Sequence, residues 1–212
     1  MAPDLSESER RLIVSNWPEY IDSDEDGYES TQTLFANEYD IDVTYVADVN
    51  DNVEFFAKVQ NQLGNCQPTK RDMMMLTDWM AARMINMGWI QPLNKANVPN
   101  LDKNLISSLR GVGWDPNREY SAPWQAGFTG IAYNKSLVGE VKTISELLTR
   151  PDLKGKVTVL SEMRDTMGLI MLSQGADPAN FDQNQWENAI EELTRAKRDG
   201  QIRAFTGNEY IN

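Results

Sequence analysis

Two large aromatic side chains, Trp17 and Tyr20, follow directly on the apolar run Leu12-Ile13-Val14. A short strand ends there, and both rings sit on the turn behind it. In open α/β sheets, ligands occupy the space outside the carboxyl ends of the strands. The pair is therefore placed to line a binding crevice. Aromatic faces attract cations, and the chain carries a formal net charge of −12. The chemistry this suggests is capture of a positively charged solute. A plain structural reading of the pair is a surface hydrophobic staple. Glu162 and Asp165, three residues apart, stand at a strand-to-helix transition where both side chains can face one direction. Their plain structural reading is a solvated helix start, where the dipole favours carboxylates.

The residue types exclude several chemistries. There is no histidine, which removes Ser-His-Asp and Cys-His nucleophile systems and most catalytic zinc sites. The single cysteine, Cys66, rules out an internal disulfide framework and lies in a polar loop, Gly64 to Pro68, as a spare thiol. Lys and Arg number 20 against 32 Asp and Glu, with no basic stripe, so nucleic acid is not a partner. Asp22-Ser23-Asp24-Glu25-Asp26-Gly27 matches the first half of an EF-hand calcium loop, but position twelve is Thr33 rather than a bidentate Glu. An acidic surface turn is the simpler reading. An enzyme could use Glu162 and Asp165 as acid and base, as glycosidases do. Residues so close on one element rarely flank a scissile bond, so no catalytic residues and no cofactor are expected.

The elements that would position these groups alternate. Strands are predicted over 11–15, 41–46, 73–76 (a buried one), 128–133, 155–160 and 202–205. Helices are predicted over 31–39, 53–63, 79–87, 166–174 and 184–198, with a short one through Leu148. Leu34, Phe35 and Ala36 mark one face of the first helix, and Phe55, Phe56 and Val59 the buried side of the second. Asn50-Asp51-Asn52 caps the second helix, Thr77 or Asp78 the third, and Thr143 or Ser145 the short one. Gly88 and Gly175 are stop signals. On the long helix Trp186, Ile190 and Leu193 mark the core side. Residues 1–10 read as a disordered arm, and no window is apolar enough to span a bilayer. Alternating strands and helices give an α/β fold with largely parallel sheets. A change of pattern at 120–133 is the domain boundary, with lobe one over 11–128 and lobe two over 129–212.

The order and spacing of several motifs carry a family resemblance. They are Ser15-Asn16-Trp17-Pro18-Glu19-Tyr20, Asn50-Asp51-Asn52, Leu76-Thr77-Asp78-Trp79, Trp89-Ile90-Gln91-Pro92-Leu93, Tyr120-Ser121-Ala122-Pro123-Trp124, Gly127 to Asn134, and Asp152-Leu153-Lys154-Gly155-Lys156-Val157. From about residue 11 onward, this series resembles the extracytoplasmic polyamine (spermidine/putrescine)-binding proteins of ABC importers, in their actinobacterial-type branch. The resemblance implies a periplasmic-binding-protein-like (type II) fold of two α/β lobes with the ligand between them. It places Trp17 and Tyr20 in the cleft wall of lobe one. Thr77, Asp78 and Trp79 match the segment that supplies a hydroxyl and an aromatic after the third strand, with Asp78 where better-known members have an aromatic. Glu162 and Asp165 match the two carboxylates that lobe two offers the amine. Trp124 either lines the cleft or packs the hinge.

The chemistry of a polyamine suits such a set. A flexible methylene chain with ammonium groups needs carboxylates at fixed separations and flat aromatic surfaces. The resemblance further implies a non-enzymatic receptor, tethered to the outer face of the cell membrane as a lipoprotein or free in the periplasm. Its partners would be the permease subunits of the importer. Family members continue past the end of this sequence, so the chain is expected to be an N-terminal fragment with lobe two and the return to lobe one incomplete. An unpaired edge in lobe one would then favour dimerisation. The alternative ligand is another small cationic or amino-acid-derived solute.

Overall fold

The computed structural model describes residue 5 and residues 7–211. Half of the expected arm, residues 1–4 and 6, lies outside the described residues. The chain forms two compact units, one ending at Gln125 and the other beginning at Ala126.

In the first unit, β1 (Arg11–Ser15) is flanked by β2 (Asp42–Val46) and β3 (Met73–Met74) in the order β2-β1-β3, and both pairings are parallel. Parallel neighbours need a crossover, and α1 (Thr31–Tyr39) and α2 (Asn52–Gly64) supply them. α2 starts where its sequence dictates: the Asp51 carboxylate accepts from the backbone N–H groups of Val53 and Glu54, at 2.8 and 3.1 Å. Its Phe55, Phe56 and Val59 are buried with Val49 and with Met80 and Met84 of α3 (Asp78–Asn86). Each such side chain contributes about 1.5–3 kcal/mol by leaving water. Trp17, Met74, Trp79 and Trp89 pack on this cluster from its edge.

Two expectations need correction here. The run 73–76 is no buried strand: only Met73 and Met74 pair, at the end of the strand order, and Met73 is exposed. α1 forms over its expected residues, yet it buries none of them, and Leu34 and Phe35 face outward. Helical spacing gives a shared face, but only a neighbouring surface makes that face a core.

After α3, short helices α4 (Pro99–Asn104) and α5 (Ser107–Arg110) precede a tight loop. Buried Asp115 organises that loop, accepting from the backbone N–H groups of Glu119, Tyr120 and Ser121 and from the Ser121 hydroxyl.

The second unit holds α6 (Ile144–Thr149), β4 (Val157–Leu160), α7 (Met163–Ser173), α8 (Gln183–Arg198) and β5 (Ile202–Thr206). β4 and β5 pair in parallel. Thr143 caps α6 through the Glu146 N–H, and α8 opens with a reciprocal capping box between Asp182 and Gln185. Its core is Leu148, Met167, Ile170, Met171, Ala189, Ala196 and Ile202, with Trp186 and Leu193 packed against it. Ile190, expected on the core side of α8, is exposed, and Ala189 takes that role. The expected strand 128–133 does not form. A strand exists only where a neighbour pairs its backbone, and Ile131 and Tyr133 instead lay their side chains on Val141, Leu153 and Val157.

Candidate ligand-binding site

The first group of candidate residues gathers at the carboxyl ends of β1 and β3. Asn16 leaves β1 fully buried; its N–H donates to the Val46 carbonyl at 2.9 Å, and its carbonyl accepts from the Val49 N–H. Its side-chain Oδ1 accepts from the Trp17 N–H at 2.7 Å. Pro18 then precedes Glu19, whose φ is +60°. Proline followed by a residue of positive φ is the order found in type II turns. A non-glycine residue in that region costs about 1–2 kcal/mol. The turn brings the rings of Trp17 and Tyr20 to a centroid separation of 6.1 Å with a tilt of 33°. Two further hydrogen bonds hold its backbone. The Tyr45 hydroxyl donates to the Trp17 carbonyl at 3.1 Å, and the Trp124 indole N–H donates to the Tyr20 carbonyl at 2.9 Å. Burial raises the pKa of the Tyr45 phenol, the Asn16 amide lowers it in part, and the Glu19 charge adds to the rise. The phenol therefore stays protonated and able to donate.

Thr77 is the N-cap residue of α3, but its hydroxyl makes no capping bond. Its N–H donates to Oδ1 of the fully buried Asn52 at 3.1 Å, while its Oγ1 is shielded from solvent without a hydrogen-bond partner. A buried polar group left unpaired costs about 1–3 kcal/mol, and in a native structure such a group calls for a reason. Asp78 is exposed in the first turn of α3, where one carboxylate oxygen accepts from the Trp79 N–H at 2.7 Å. Trp79 is half-buried against the same core as Trp17.

In the second unit, Glu162 is the N-cap residue of α7 and Asp165 lies in its first turn, both half-buried. They follow the carboxyl end of β4, the position the sequence reading gave them. Thr166 fixes the approach by donating its hydroxyl to the Leu160 carbonyl at 2.7 Å.

The structure thus brings Trp17 and Tyr20 together and sets Thr77, Asp78 and Trp79 at the neighbouring strand end. Glu162 and Asp165 form a separate group on the second unit. Sequence reasoning gave no site role to Asn16, Tyr45 or Asn52, which hold the first group from behind. A buried asparagine directly after an apolar strand was the available signal. In the acidic loop before α1, two carboxylates accept from the start of that helix. Asp24 accepts from the Ser30 N–H and the Thr33 hydroxyl, and Asp22 from the Thr31 N–H. No cluster of metal-ligating side chains occurs among the described residues.

Comparison with known proteins assigns the chain to a family. The pattern of the bacterial extracellular solute-binding proteins matches residues 33–212. The chain belongs to that family. Among curated relatives, the spermidine/putrescine-binding periplasmic protein 1 of Haemophilus influenzae is 27% identical over 187 residues, covering 88% of this chain and 49% of the relative. The Escherichia coli spermidine/putrescine-binding periplasmic protein is 24% identical over 185 residues, 87% of this chain and 50% of the relative. The chain therefore spans about half the length of the curated relatives it matches. A solved structure of a candidate spermidine/putrescine ABC transporter from Listeria monocytogenes superposes with a TM-score of 0.78 at 25% identity, over 95% of this chain and 58% of that one. The TpPotD lipoprotein of Treponema pallidum, at 23% identity and a TM-score of 0.74 over 94% of this chain and 59% of that one, shares the fold. The α/β periplasmic-binding-protein architecture expected from the sequence is the one found.

Proposed function

We propose that this solute-binding chain captures a polyamine, putrescine or spermidine, for ABC-type import. The observation that carries the reading is the aromatic pair Trp17–Tyr20, pinned at the carboxyl end of β1 in a chain whose curated relatives bind spermidine and putrescine. Two tilted rings offer flat surfaces to methylenes and π faces to an ammonium group, the latter contributing roughly 0.5–2 kcal/mol. The Asp78 carboxylate accepts from ammonium N–H groups, the Thr77 hydroxyl does the same once it turns out of its shielded position, and Trp79 adds a third ring. Glu162 and Asp165 supply the carboxylates of the second unit. Each charge-assisted hydrogen bond adds about 1.5–3 kcal/mol. Nothing in this set acts on the ligand covalently, and binding without turnover is the expected behaviour. Closure of the protein on its ligand would be the state that membrane permease subunits recognise. The working location is extracytoplasmic, as for the periplasmic relatives. Asp78, a charge at a ligand-facing helix start, also suits a solute carrying a single amine or guanidinium, which is the second reading.

Native mass spectrometry of the chain with an equimolar mixture of putrescine, spermidine, spermine and arginine tests both. One polyamine per chain is expected. Trp17→Ala and Glu162→Gln should each reduce that adduct roughly tenfold or more, the loss of about 1.4 kcal/mol or more. Arginine displacing the polyamines would favour the second reading. Unchanged adducts in both variants would overturn the site.

A further inference from the structure

Trp124 is 49% exposed, yet its Nε1–H donates at 2.9 Å to the carbonyl of Tyr20, 104 residues earlier. We infer that Trp124 is a positioning residue for the aromatic turn, holding the ring of Tyr20 beside that of Trp17. The turn needs such a fastening. Its first aromatic is fixed on both sides of its peptide, by Asn16 Oδ1 at the N–H and by the Tyr45 hydroxyl at the carbonyl. Tyr20 comes after Glu19, whose positive φ is disfavoured for a residue with a Cβ. Tyr20 is 38% exposed and, unlike Trp17, is not packed on the first unit's core. Without the indole bond, the turn could relax by rotating Glu19, and Tyr20 would swing away.

Trp124 is itself well anchored. Three residues upstream, Ser121 donates both its N–H and its hydroxyl to Asp115, at 3.0 and 2.7 Å. Buried Arg118 donates to the Ser121 hydroxyl at 3.0 Å and to the Leu109 carbonyl at 2.8 Å. The Leu93 N–H binds the Glu119 carbonyl. A rigid knot over 109–121 thus presents Trp124 to the turn, and the chain passes into the second unit directly afterwards, between Gln125 and Ala126. Trp124 is where the connection between the units touches the aromatic pair. Its one polar side-chain atom is spent on the protein backbone, which leaves only the ring face for any contact with a ligand.

The inference rests on the polyamine reading only for its affinity measurement. Trp124→Phe keeps a ring and removes the donor. In the ligand-free chain, the Tyr20 ring should then exchange out of contact with the Trp17 ring roughly two- to tenfold more, the range set by losing one hydrogen bond, as read from ring-to-ring nuclear Overhauser effects and relaxation. The side chains of α2 should be unchanged. Putrescine affinity should fall by a similar factor in the parent chain and by nothing in a Tyr20→Ala background, where no ring remains to be positioned. An unchanged contact between the two rings would overturn the inference. So would an equal loss of affinity in both backgrounds, which would make Trp124 a ligand contact or a general stabiliser. Should the parent chain bind neither putrescine nor spermidine while exchange of the Tyr20 ring still rises, the positioning role stands independently of the polyamine reading.

Discussion

At the scale of single residues, the proposed site holds side chains in arrangements that cost stability. Thr77 shows this most directly. It occupies a helix N-cap, where threonine ordinarily accepts from the backbone, but makes no such bond and keeps Oγ1 unpaired away from solvent. Thr77→Val removes that oxygen at nearly constant shape and loses no cap. It should leave the thermal midpoint unchanged or raise it, with a gain of about 1 kcal/mol, while weakening polyamine binding roughly tenfold. Calorimetric unfolding and titration on the same sample measure both. A variant that is less stable and binds as well would show that the hydroxyl serves the fold. Glu19 follows the same logic, since its positive φ is what brings Trp17 and Tyr20 within 6.1 Å.

At the scale of elements, helix starts carry most of the local order. Asp51, Thr143 and Asp182 cap their helices through their own side chains. Ser30 caps α1 the same way, accepting from the Thr33 N–H, but this helix has an added fastening. Its N-cap Ser30 is itself held by Asp24, which lies six residues before it. The Ser30 N–H, followed by the Thr33 hydroxyl, lowers the pKa of the Asp24 carboxyl. Because the folded state lowers that pKa, the stabilisation is fully present above the unfolded value, near 4, and is lost as pH falls through the lower, folded value. α1 buries none of its residues, so this fastening matters more to it than to α2. Between about pH 5 and pH 2, exchange protection in α1 should fall before that in α2, and Asp24→Asn should flatten the acid-side decline. Parallel loss in both helices would show that α1 depends on something other than this carboxylate.

For the whole molecule, the relevant quantity is charge. A formal net charge of −12 surrounds any bound cation with a field that salt screens. The screening length falls from about 30 Å at 10 mM salt to about 8 Å at 150 mM. Polyamine affinity should therefore drop over that range, and more steeply for spermidine, with three ammonium groups, than for putrescine, with two. Titration calorimetry at the two salt concentrations decides it. Equal salt dependence for both ligands would confine the electrostatics to a single carboxylate contact.

Periodicity and end signals in the sequence determined β1, α1, α2, α3, α7, α8 and β5 to within a few residues. The reason is local: an apolar repeat, a capping side chain and a stop glycine act within a few positions of one another. The same locality exposed Trp17, Tyr20, Glu162 and Asp165 as residues at strand ends. What depends on distant partners was left to the tertiary structure. The run 128–133 alternates like a strand, but no neighbour pairs with it. Met73 and Leu34 look like core residues and are exposed, because burial needs an opposing surface that no local pattern encodes. Asn16, Tyr45 and Asn52 gained their roles only when β1, β2, β3 and α2 came together. The bond from Trp124 to Tyr20 spans 104 residues, and only the folded chain closes that distance.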